Sequence, residues 1–138
     1  MKRYRFKKRI AAIMTVTGLA IWFALPNVAN AETLTIEGRH IYTYITVSAS
    51  SATATISYTE GPGQIYATIT GEKRNNLFPT MIGTVPGPRN SGSTPGGVTS
   101  SVTAPDGWSF YGANATYEYE LSINGTTYKG MIPEHKGL

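Results

Sequence analysis

Cysteine is absent from this 138-residue chain. That excludes thiol catalysis, iron–sulfur ligation, attachment of lipid to a cysteine at a mature N-terminus, and any disulfide brace for the fold. Charged residues make up only 14% of the sequence, and histidine is confined to His40 and His135. Neither histidine belongs to a metal-ligand spacing, and the acidic residues are too scattered for a calcium loop. No metal or other cofactor is therefore expected. No apolar run follows Leu25, so no stable membrane insertion is expected of anything after Ala31.

The charge that is present is concentrated at the start. Lys2, Arg3, Arg5, Lys7, Lys8 and Arg9 precede an apolar run from Ile10 to Leu25, which Pro26 and Asn27 break. Ala29-Asn30-Ala31 then supplies small residues where a signal peptidase reads. The layout predicts a secretory signal peptide over 1–31, removed before Glu32, with 32–138 as a single domain. The heavily basic leader points to a bacterial exporter. Export to the extracellular space or the cell envelope follows as the expected localisation.

Removing the leader reverses the charge. Six basic residues remain (Arg39, Lys73, Arg74, Arg89, Lys129 and Lys136) against eight acidic ones. The calculated pI of 9.4 belongs to the leader. A nucleic-acid binder presents a basic surface to phosphates, and none survives, so no nucleic acid is expected among the partners.

Beyond residue 32 the chain is rich in Thr, Ser, Tyr, Ile, Val and Gly, a composition of strands and turns. From His40 it alternates: Ile41, Thr43, Ile45 and Val47 on one face, His40, Tyr42, Tyr44 and Thr46 on the other. A second strand over Ala52–Thr59 buries Ala54, Ile56 and Tyr58. Gly61-Pro62-Gly63-Gln64 reads as the turn into a third strand over Ile65–Thr70, pairing Tyr58 with Ala67. Leu77-Phe78-Pro79 is expected to tuck back onto the core, and Met81–Val85 to form an edge strand. Residues 86–97, dense in Pro and Gly, read as a long surface or binding loop. Pro105-Asp106-Gly107 reads as a hairpin turn that sets Val102 opposite Phe110, with a bulge or bend at Tyr111–Asn114. Asn124-Gly125 is a type I′ hairpin signal and pairs Leu121 with Tyr128 and Glu120 with Lys129.

These elements add up to an all-β fold: a small antiparallel β-sandwich of about seven or eight short strands, with a small β-barrel as the competing closure. Catalytic constellations are sparse. Glu118 and Glu120 lie two apart on one strand rather than across a cleft, as glycoside hydrolysis needs. No serine lies in a Gly-x-Ser-x-Gly context, and the expectation is a protein that is not an enzyme. Asn114-Ala115-Thr116 and Asn124-Gly125-Thr126 fit the glycosylation pattern, which matters only in a eukaryotic route.

What remains is aromatic and hydroxyl surface. Tyr42, Tyr44, Tyr66 and Tyr111 fall on polar faces, and with Arg89 and Asn90 they are the candidate binding residues. The first expectation is a secreted, non-enzymatic domain that binds an extracellular protein or glycan. A self-associating structural or matrix subunit joined through sheet edges is the second, and a small antagonistic protein such as a bacteriocin or inhibitor the third.

Overall fold

A computed structural model describes residues 28–138. The predicted leader lies outside them except for its last four residues. Six antiparallel strands form one sheet: β1 (Val28–Ile36), β2 (Arg39–Val47), β3 (Ser51–Asn75), β4 (Ile82–Thr103), β5 (Trp108–Ile123) and β6 (Thr126–Gly137).

The last hairpin forms in the register that Asn124-Gly125 dictates. Both turn residues have positive φ, 53° and 82°, as a type I′ turn requires. Ile123 pairs with Thr126, Leu121 with Tyr128 and Glu120 with Lys129, and Lys129 Nζ lies 3.7 Å from Glu120 Oε2. β6 then continues to Gly137, opposite Gly112. A second hairpin of this kind, β1–β2, turns on Glu37 and Gly38 at φ 49° and 78°. It was not legible because glutamate rarely adopts positive φ and four of the nine residues of β1 fall inside the predicted leader.

Two long strands replace four of the expected short pieces. β3 is 25 residues long and β4 22, so the strand count falls to six and the sandwich expectation holds only in part. No hairpin turn occurs at Gly61–Gln64. Between Tyr58 and Gly63, β3 makes a bulged detour while β4 advances only from Gly96 to Thr94. Tyr58 lies opposite Gly96 and Ile41, and Ala67 opposite Asn90 and Tyr117, not opposite each other. The 86–97 segment is likewise strand rather than loop. Among the described residues β4 has β3 as its only strand neighbour, and an edge strand tolerates Pro86, Pro88 and Pro95 because half of its N–H groups face away from the ladder.

Pro105–Gly107 does turn, with Trp108 N–H donating to the Pro105 carbonyl at 3.0 Å and Gly107 at φ 84°. The strands it joins, however, do not pair. Val102 lies opposite Ala52, whereas Phe110 lies opposite Lys73 on the other edge of β3. The expected bulge at Tyr111 is present, as Gly112 and Phe110 face the consecutive residues Glu72 and Lys73.

Along the edge of β3 opposite β4, β2 pairs with residues 52–58 and β5 with 63–75. The detour at 59–62 folds the β3–β4 ribbon over, so that one arm carries β1 and β2 and the other β5 and β6. Asn90 Nδ2 donates to the Thr99 carbonyl at 2.8 Å and Ser100 Oγ to the Pro88 carbonyl, tying the two halves of β4 together. The result is an open, half-barrel-like sheet.

Its concave side is the core. Ile41, Ile45, Ile56, Ile65, Ile69, Tyr58, Tyr117 and Leu121 are fully or almost fully buried. Each aliphatic side chain there contributes about 1.5–3 kcal/mol relative to exposure. Burial raises the Tyr117 phenol far above the ordinary tyrosine range, and the nearby Glu134 carboxylate adds to the shift.

Candidate binding surface

The convex side of the first arm presents side chains from three strands in register. Tyr42 stands beside Ser57, Tyr44 beside Thr55 and Thr46 beside Thr53, with Thr99 and Ser101 of β4 next to Thr55 and Thr53 in turn. Alternation places these opposite Ile41, Thr43, Ile45 and Val47, which point into the core; of the β2 members Tyr42 is exposed, Tyr44 half-buried and Thr46 buried. The hydroxyls bond across strands: Thr46 Oγ1 to Thr53 Oγ1 at 2.6 Å, and Thr55 Oγ1 to Thr99 Oγ1 at 2.8 Å. Spacings of about 4.8 Å between strands and about 6.8 Å along them make this a regular hydroxyl lattice.

At the rim of this face, the chain crosses its crease. The His40 N–H donates to Glu60 Oε2 at 2.7 Å, and His40 Nδ1 lies 3.0 Å from the same oxygen. Arg39 donates to the Glu60 carbonyl at 2.6 Å. The backbone bond from His40, followed by the imidazole and Arg39, lowers the Glu60 carboxyl below its ordinary range. The His40 ring stacks beside Tyr42 with centroids 6.2 Å apart. Tyr42 is 48% exposed, while the Tyr44 hydroxyl is buried and its pKa raised by that burial.

The second arm uses its aromatic rings differently. The Arg89 guanidinium lies 4.0 Å above the Tyr66 ring and donates to both Glu118 oxygens, from Nε and Nη2, at 3.0 Å each. That bidentate pair lowers the Glu118 carboxyl and raises Arg89. Tyr111 lies under Arg74, with 4.7 Å from guanidinium carbon to ring centre.

The six sequence candidates thus occupy separate places. Tyr42 and Tyr44 share one face, Tyr66 and Arg89 are stacked on the other arm, Tyr111 sits at the far end of β5, and Asn90 pins the fold of β4. The Arg89–Glu118 bridge and the Arg39–His40–Glu60 cluster were not read from the sequence. Both depend on strand neighbours more than 19 residues apart in the chain, which no local pattern reveals.

Two imidazole–carboxylate pairs exist, His40–Glu60 and His135–Glu72, the latter at 2.8 Å with Asn114 Nδ2 also donating to Glu72. Among the described residues no hydrogen bond joins either imidazole to a hydroxyl, and no three His, Asp or Glu side chains converge as a metal site. What the surface offers chemically is ring stacking and ordered hydrogen bonding. No protein-family model matches the chain, and no curated protein matches it.

Proposed function

We propose that the chain is exported, loses residues 1–31, and serves without catalysis as a binding domain for a glycan at the cell surface or outside the cell. The observation that carries this reading is the Tyr42 face. An accessible ring is flanked by Ser57, the bonded Thr55–Thr99 pair and the His40–Glu60 pair, on a rigid sheet. Sugars are bound by stacking their apolar faces on such rings while neighbouring groups take their hydroxyls. Rigid strands hold the donors and acceptors in place, which lowers the entropy cost of binding.

Cleavage after Ala31 also bears on the fold. It removes Val28–Ala31, which pair with Tyr44–Val47, and leaves Glu32–Ile36 as the shortened edge strand next to the tyrosine face. Assembly through sheet edges is the weaker reading, since prolines interrupt the free edge of β4 and Pro133 lies in β6.

The test is retention of the released protein on insoluble polysaccharides, cell-wall material included. Expected is retention by at least one of them, weakened about tenfold in Tyr42→Ala, equivalent to about 1.4 kcal/mol. Tyr111→Ala, whose ring lies beneath Arg74, is expected to bind as the parent does. No retention on any polysaccharide, or equal retention by Tyr42→Ala, overturns the proposal.

A further inference from the structure

The loop joining β3 to β4 is unlike the rest of the surface. Leu77 is 83% exposed, Phe78 62%, Met81 50% and Ile82 61%. The expected tuck of Leu77-Phe78-Pro79 onto the core does not occur. Scattered exposed apolar residues need no explanation, but four large ones within six positions do.

This loop is also held in place. The Asn75 carboxamide oxygen accepts from the N–H groups of Leu77 and Phe78, both at 2.9 Å. Met81 N–H donates to the Phe78 carbonyl, Asn75 N–H to the Met81 carbonyl, and Asn76 N–H to the Gly107 carbonyl, each at 2.9 Å. Pro79 has no N–H. The donors of Asn75, Asn76, Leu77, Phe78 and Met81 are therefore satisfied inside the protein, which lowers the cost of taking this backbone out of water.

Behind the tip stands a ring of amphipathic groups. Lys73 Nζ lies 4.1 Å from the centre of the Trp108 ring and Arg74 above Tyr111. Neither cation makes an ion pair among the described residues. Trp and Tyr rings with Lys and Arg heads favour the headgroup level of a membrane. Asp106 is the opposing charge on the adjoining turn, while Glu72 is already engaged by His135 and Asn114.

From these observations we infer that the 77–82 tip docks into a phospholipid surface, its apolar side chains entering the acyl boundary and Lys73 and Arg74 meeting anionic headgroups. A protein partner fits less well, because binding hot spots favour Trp, Tyr and Arg over leucine and here the aromatic rings and cations stand behind the tip. No helix among the described residues is long and apolar enough to cross a membrane. The inference goes beyond the glycan reading and uses different residues, so neither result decides the other.

The absence of cysteine makes the test direct. Thr80→Cys carrying an environment-sensitive fluorophore reports from the tip, and Asn124→Cys from the remote β5–β6 turn, in the full chain. With vesicles of phosphatidylcholine and phosphatidylglycerol, the label at position 80 is expected to shift to the blue while that at 124 does not. Leu77→Ser/Phe78→Ser on the Thr80→Cys background should need about tenfold more lipid for the same shift, with an unchanged melting temperature because both side chains are already exposed. Phosphatidylcholine alone should give the weaker response. A label at position 80 that stays in water with both vesicle types overturns the inference. So does a shift that follows protein concentration without lipid, which marks contact between copies, or an equal shift at both positions, which marks binding elsewhere on the chain.

Discussion

The two ends of the folded β3–β4 ribbon, the crease near Glu60 and the loop near Phe78, have similarly ordered backbones and opposite surfaces. At the crease, Arg39, His40 and Glu60 satisfy one another and the backbone, and Thr94 Oγ1 closes the bend by donating to the Gly61 carbonyl at 2.8 Å. At the loop, the cations lie on rings instead of carboxylates, and half or more of the surface of each apolar side chain is exposed. Order at the crease serves the fold, because the two arms can face each other only if the strand bends there. Order at the loop buries little, since Leu77, Phe78, Met81 and Ile82 all stay exposed. A hydrogen-bonded turn that holds exposed apolar groups is a presented surface, whereas a loose one would be a folding defect.

The sharpest way to break this comparison is to shorten an isoleucine at each place. Ile56, fully buried in the first arm, should lose about 2–5 kcal/mol on replacement by alanine, through lost burial and the cavity left behind. Ile82→Ala should stay within about 0.5 kcal/mol of the parent. Urea unfolding measures both. A comparable loss at Ile82 would make the tip part of the core and end the distinction.

Glycines sharpen it further. A methyl group at Gly63 would stand 2.5 Å from the Glu120 carbonyl oxygen and 2.8 Å from a Leu121 methyl carbon, so Gly63→Ala forces backbone apart where β3 leaves the crease. The expected cost is about 1–3 kcal/mol, a fall of several degrees or more in melting temperature for a domain of this size. At Gly83, near the loop, the nearest atom is Lys73 Cε at 3.2 Å, the far part of a flexible side chain that can move. Gly83→Ala should melt close to the parent, and a matched loss at both positions would show that the loop arm is packed as tightly as the crease.

The same contrast explains what the sequence discloses. Asn124-Gly125 fixed its hairpin because turn and flanking alternation agree, and Ile41 to Val47 declared the inward face of β2 by period alone. Gly61-Pro62-Gly63 carries turn chemistry too, yet those residues serve equally in a bulge, and the choice between turning back and bending onward is made by distant β2 and β5. Residues 86–97 look unstructured because proline count says nothing about whether a strand lies at an edge. Of the candidate surface, Tyr42 was visible as an outward ring, and its setting among Ser57, Thr99 and Glu60 depended on register. The exposure of Leu77 and Phe78 ran against the usual bias of such residues toward the interior, so the sequence pointed the wrong way.

The smallest effect concerns the crease charges. The folded Glu60 carboxyl lies below its ordinary value of 4.5, chiefly through the His40 N–H and then through the imidazole and Arg39. A depressed carboxyl contributes stability that is complete above the unfolded value and is lost as pH falls through the folded one. Glu60→Gln should therefore be less stable than the parent at pH 7 and approach it in acid below the depressed value. Because Glu60 is exposed, solvent and salt screen the interaction, and the gap at pH 7 should narrow in 1 M NaCl. Urea titrations of both proteins at pH 7 and pH 3 test this. A gap that persists undiminished at pH 3 would mean that the crease is held by the shape of the Glu60 side chain and not by its charge, leaving crease and loop to differ in apolar exposure alone.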